Sequence, residues 1–100
     1  MNNLAQKFEN ALLENSIISK KECKYNPTYF NQMIAEIGGV NTAKRLIEKG
    51  MQTGRPSEGY TTLFMCGRLD LTMESIVCKK EYAPLFTASE IEYCKKLIKP

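Results

Sequence analysis

The pair Arg68 and Asp70, in the stretch "GRLDLT", is where the sequence most invites chemistry. A guanidinium two residues from a carboxylate, set between a helix-stopping glycine and a helix-capping threonine, suits an internal ion pair that fixes a turn. It also suits a guanidinium presented to a phosphate or to a partner's carboxylate. Arg55, Ser57 and Glu58, on and just after the longest loop "GMQTGRP", pose the same choice between solvated loop and recognition surface. Tyr29 and Tyr60 fall beside loop elements, where a tyrosine anchors a protein interface or stacks on a base. These seven residues are the candidate partner contacts, and Lys44, Arg45 and Lys49 are the candidate nucleic-acid contacts.

Other chemistries lack their parts. The chain has no histidine, which removes the usual general base, the partner of Ser and Cys nucleophiles and the commonest zinc ligand. Its eleven Asp and Glu residues stand singly on helical patterns, with no D-x-D or E-x-x-E cluster to hold a metal. No catalytic residue, metal or cofactor is assigned, and the expectation is a protein that is not an enzyme. Lysines gather at 20, 21 and 24, at 79 and 80, and at 95, 96 and 99, yet the net charge is only +3 and Glu22, Glu48, Glu81 and Glu92 are interleaved. That pattern is ordinary for solvated helix faces, and a phosphate-binding stripe arises only if the clusters converge.

No window nears the ~20 apolar residues that span a bilayer, and the start "MNNLAQKFENALLENS" resembles no signal peptide. A cytoplasmic location without membrane contact is expected. Cys23, Cys66, Cys78 and Cys94, with no C-x-x-C pair, are then read as reduced thiols acting as small hydrophobes.

The elements that position these residues are helical. Leu4, Phe8, Ala11, Leu12 and Ile18 mark one face of a first helix from about Asn3 to Lys24, with Asn15 and Ser16 loosening its middle. Asn26 is placed to cap a second helix that has Pro27 at its first position. Phe30, Met33, Ile34 and Ile37 stripe that helix, and Gly38 with Gly39 ends it. A third helix, about Asn41 to Lys49, buries Val40, Ala43, Leu46 and Ile47 and closes at Gly50. Ser57 caps a fourth, whose Tyr60, Leu63 and Phe64 share a face and which Gly67 stops. Thr72 caps a fifth, "MESIVCKK", with Leu71 and Ile76 as its hydrophobic staple. Thr87 and Glu90 form a capping box flanked by Phe86 and Ile91, and launch a last helix with Ile91, Cys94, Leu97 and Ile98. No window alternates long enough for a strand. The expectation is an all-α, single-domain compact bundle of five or six short helices over residues 1–100.

The stretch "MIAEIGGVNTAKRLIEKG" has the look of a helix-turn-helix, with Ala35, Gly39 and Val40 at the positions such a motif needs. Its next core positions, however, fall on Arg45 and Glu48, whereas the hydrophobes are Leu46 and Ile47. Burying Arg45 and Glu48 unpaired costs several kcal/mol each, so the register points to two core helices joined by a glycine turn.

Taken together, "YNPTYF", "GGVNTAKRLIE", "PSEGYTTLF", "GRLDLTMESIV" and "EYAPLFTASEIEYCKKLI" resemble a widespread bacterial family of small proteins and appended domains without an assigned biochemical activity. The likeness runs from about Lys21 to Ile98. This chain departs from it with Phe64 where relatives carry Trp, and with a longer loop at "EKGMQTGRPSE". Some members are attached to restriction-type or nuclease domains or travel with mobile elements. The resemblance therefore implies an accessory role in phage and host conflict. The expected function is a non-enzymatic helical interaction module binding a protein component of a bacterial nuclease, phage-defence or counter-defence system. The alternative is a weak, largely sequence-independent nucleic-acid binder.

Overall fold

Asn3 opens the first helix, its Oδ1 accepting the Gln6 amide at 3.1 Å. In the computed structural model, which describes residues 3–99, that helix (α1, Leu4–Cys23) runs unbroken for 20 residues. Its buried stripe is Phe8 and Leu12, then Ser16 and Ser19. Asn15 and Ser16, expected to loosen its middle, do not interrupt it. Ser16 Oγ donates to Asn31 Oδ1 at 3.0 Å and Ser19 Oγ to the Asn15 carbonyl at 2.7 Å, so their hydroxyls are satisfied as they enter the core. Lys24 ends α1 in the left-handed conformation, φ 54°.

The second helix (α2, Thr28–Ile37) is entered differently from expectation. Pro27, not Asn26, holds the cap position, and the Asn26 carbonyl accepts the Thr28 amide at 2.8 Å in place of a side-chain cap. Met33 and Ile34 are buried, and Phe30 packs against the core. One residue, Gly38, then joins α2 to the third helix (α3, Gly39–Thr53). Its φ of 88° and ψ of 161° lie in a region open only to glycine. Gly39 has a different task. A Cβ on it would lie 2.8 Å from Glu9 Cα and Cβ, so glycine here lets α3 start against the backbone of α1. The Glu9 carboxylate accepts the Gly39 amide at 2.8 Å, placing a negative charge on the positive end of α3.

α3 is longer at both ends than the expected Asn41–Lys49. Gly50 is buried inside it, because the Tyr93 hydroxyl occupies the space a Cβ would need, and Gly54, at φ 71°, is the real stop. Arg45 and Glu48 are exposed, Ile47 is buried and Leu46 half-buried, the opposite of what a repressor-type register requires.

The rest follows as α4 (Glu58–Met65), a 3₁₀ turn (Leu69–Leu71), α5 (Met73–Val77), a second 3₁₀ stretch (Lys80–Leu85) and α6 (Ala88–Ile98). α5 stops short of the expected "MESIVCKK" because Lys79 turns extended, ψ 133°, ahead of a stretch containing Pro84. It lies at the centre: Met73, Glu74, Ile76 and Val77 are all buried. Phe8 meets Tyr82 and Phe86 edge-on at 5.2 and 5.1 Å. The Thr87/Glu90 capping box is present in both directions, with bonds of 2.8 and 3.1 Å. Among the described residues the architecture is all-α with no strand, though the count of five or six short helices misses both 3₁₀ segments and the length of α1.

The reading of four free thiols is overturned. The last residue of α1 meets the residue capping α4, and Cys23 and Cys66 form a disulfide with Cα atoms 6.0 Å apart. A separation of 43 residues left no local trace of the pairing. Cys78 and Cys94 are free, and burial pushes both thiols above their usual range. Among the described residues no helix is long and apolar enough to cross a membrane, and no group of three or more His, Cys, Asp or Glu could hold a metal ion.

Candidate interaction surface around α4

The short helix α4, with the residue that caps it and the turn that follows it, collects five of the seven candidate partner contacts: Ser57, Glu58, Tyr60, Arg68 and Asp70. Ser57 caps it, accepting the Tyr60 amide at 3.2 Å, and the same hydroxyl donates to Glu74 Oε2 at 3.3 Å. Tyr60 donates its hydroxyl to the Leu97 carbonyl at 2.6 Å, which ties the start of α4 to the end of α6. Leu63 is buried beneath the helix. Phe64, expected to share that buried face, instead points out at 54% exposure, and Met65 follows at 80%. The Tyr60 and Phe64 rings lie 6.0 Å apart.

Under α4 lies a cavity of about 110 Å³. Leu12, Phe30, Met33, Leu46 and Leu63 give it an apolar wall, while Tyr25, Ser57, Glu58 and Tyr60 stand at its polar side. The Tyr25 hydroxyl comes close to Gly59, where a Cβ would sit 3.3 Å from it. Next to Ser57 is Glu74, 2% exposed, with Oε2 bonded to Ser57 and Oε1 without a partner in the described structure. Burial holds this carboxyl above the usual carboxylate range, against the pull of its backbone bond and of Ser57.

At the far end of α4, Arg68 is fully engaged. Nε and Nη2 clamp Asp70 Oδ1 and Oδ2 at 3.0 Å each, and Nη1 donates to Glu22 of α1. The clamp holds Asp70 below the usual carboxylate range. The disulfide sits beside this cluster and brings the exposed Lys20, Lys21 and Lys24 of α1 to the same end of α4.

The other candidates lie elsewhere. Tyr29 is 75% exposed on the first turn of α2 and does not line the cavity. Arg55 is exposed and shares a shallow depression with Lys49 and Ser57. Arg45 is exposed on α3. Lys44 is committed internally: its Nζ bonds Glu90 Oε1 at 2.8 Å and lies 5.2 Å over the Phe86 ring. Sequence reasoning passed over Glu74, Tyr25 and Cys66. A carboxyl two residues past a helix cap looks solvated until the helix proves to be central. No family model, curated protein or solved structure matches the chain.

Proposed function

We propose that the chain is a non-enzymatic helical interaction module whose docking face is the outer side of α4. Its partner is a protein surface that presents an apolar anchor flanked by carboxylates. The observation that carries this reading is the pairing of Phe64 and Met65, both largely exposed, with the exposed lysine turn of α1 at the disulfide. Aromatic and methionine side chains are enriched at interface cores, and methionine adapts to irregular surfaces. Lysines at the rim favour and steer an acidic partner. The polar candidates nearby, Ser57, Tyr60, Arg68 and Asp70, are used up in internal bonds and act here as the frame that presents the apolar pair. On the resemblance of its motifs, we assign the partner to bacterial nuclease, phage-defence or counter-defence systems.

A second reading, sequence-independent nucleic-acid binding, is favoured by the same lysine turn, since Lys20, Lys21 and Lys24 join no ion pair among the described residues. Capture with the wild-type chain and with Phe64→Ser/Met65→Ser separates the two. A protein ligand that survives nuclease treatment, is lost from the double variant and, once purified, weakens only a few-fold between ~50 and ~200 mM salt, as rim charges require, rather than by the orders of magnitude of phosphate binding, supports docking through α4. A ligand that the double variant retains, or that nuclease removes, overturns it. Unchanged melting of the double variant serves as the folding control.

A further inference from the structure

Gly54 and Gly67 bracket the segment that carries α4, and both are left-handed, at φ 71° and 78°. A Cβ built on either would meet nothing within 4 Å. Gly39 and Gly50 are wedged against neighbours, whereas these two stand in open space and keep the backbone freedom that absorbs a swing. Between them α4 has few ties. Ser57 reaches Glu74 and Tyr60 reaches Leu97 at its start, Leu63 is buried in its middle, and Cys66 is bonded to Cys23 at its end.

We propose that the Cys23–Cys66 bridge is a redox latch: closed, it pins the Cys66 end of α4 beside the cavity, and reduced by a dithiol, it frees that end to swing about the Ser57 and Tyr60 anchors and widens the cavity's mouth. The bridge is placed for exchange. Cys66 is exposed and Cys23 half-buried, so an incoming thiolate meets the Cys66 sulfur first. Its attack forms a mixed disulfide at Cys66 and expels Cys23 as a thiolate, which takes a proton from water. The second thiol of the reductant then attacks the mixed disulfide and releases the Cys66 thiol. Two electrons pass to the bridge, and the dithiol leaves as its own cyclic disulfide. Cys78 and Cys94 take no part, since burial keeps both in the inert thiol form.

Opening would free one end of α4 and leave the Ser57 and Tyr60 anchors at the other, so the motion is a swing from the α6 side. The core built on Phe8, Ile47, Ile76 and Val77 does not touch the bridge's covalent chemistry and keeps the rest of the bundle folded. This holds whatever docks on α4.

Hydrogen exchange followed by mass spectrometry tests the latch on the full chain, oxidised and after treatment with millimolar dithiothreitol. The expected result is exchange about tenfold or more faster in residues 58–66, with amides of α1, α3, α5 and α6 unchanged and protection regained on reoxidation. Unchanged exchange, faster exchange spread over every helix, or a bridge that dithiothreitol cannot reduce without denaturant each overturns the proposal. Cys23→Ser/Cys66→Ser should reproduce the reduced profile. If that variant does not fold, the reduced wild-type chain supplies the same readout.

Discussion

Replacing Gly39 by Ala reverses the sign that helix propensity alone predicts. Gly39 is the first residue of α3 and its φ is not positive, so an ordinary helical glycine there would gain up to ~1 kcal/mol on becoming alanine. The structure says otherwise, because the new methyl would stand 2.8 Å from both Cα and Cβ of Glu9. Carbon atoms at rest prefer about 3.5–4.0 Å, so α1 and α3 must part by roughly 0.7 Å or more. Overpacking of this kind costs ~1–3 kcal/mol. The separation also stretches the bond from the Gly39 amide to the Glu9 carboxylate, a further ~1 kcal/mol or more. The expected net loss is ~1–4 kcal/mol, read by urea denaturation with far-UV circular dichroism. Glu9→Ala keeps the two nearest obstructing atoms, Cα and Cβ, and removes the hydrogen bond together with the more distant Cγ, so the double variant separates the backbone clash from the lost bond. Gly59→Ala is the control, since Gly59 is also helical but its neighbour is the tip of the Tyr25 side chain, and the change should be neutral or gain up to ~1 kcal/mol. A Gly39→Ala chain as stable as wild type, or more so, refutes the close approach of α1 and α3.

Three further outcomes are expected. For Glu74 the folded pKa lies above the ordinary 4.5, so the folded chain holds a proton that the unfolded chain has lost. The stability this carboxyl contributes is complete below that value and fades as pH rises through the folded pKa. Glu74→Gln should therefore gain relative to wild type as pH rises above ~4.5 and then level off, and a gap independent of pH would count against the buried carboxyl. Asp70 and Glu81, held low chiefly by hydrogen bonds from Arg68 and Lys7, act in the opposite direction in acid but equally in both chains. Ile47→Ala should cost ~2–5 kcal/mol, and Leu46→Ala less, because Leu46 is half-buried at the cavity edge; equal losses in denaturant melts would contradict that placement. Lys44→Ala should cost ~0.5–1 kcal/mol through Glu90 and Phe86, while Arg45→Ala changes nothing measurable, a difference that thermal melts of the two variants resolve.

What was legible in the sequence is what neighbours in the chain decide. The Thr87/Glu90 box, the Ser57 and Thr72 caps and the glycine break at 38–39 depend on residues three or four apart, and all are present. Across the chain the signal fades. Nothing local separates the roles of Gly38 and Gly39, one serving a backbone angle and the other the approach of α1. Periodicity put Phe64 with Leu63, because a three-residue stripe on a two-turn helix leaves the inner face poorly defined; the structure turns it outward. Glu74 lies on a helix buried on nearly every side, where a polar residue carries no periodic mark of its burial. Of the candidate surface, Ser57, Glu58, Tyr60, Arg68 and Asp70 were read from sequence and meet at α4, whereas the lysine turn joins them only through the unforeseen disulfide.

The Cys23–Cys66 bridge also changes what a cut in the chain would do. It closes a covalent ring that holds α2, α3, the long loop and α4, while α5 and α6 lie outside. A protease that nicks the exposed loop around Arg55 severs the backbone without dividing the molecule, since both pieces stay joined through sulfur until they are reduced. A nick at the exposed Lys79 or Lys80 leaves α6 attached only by packing. The two halves of the fold thus differ in how they survive damage, and the half carrying the docking face is the one that a single scission cannot release.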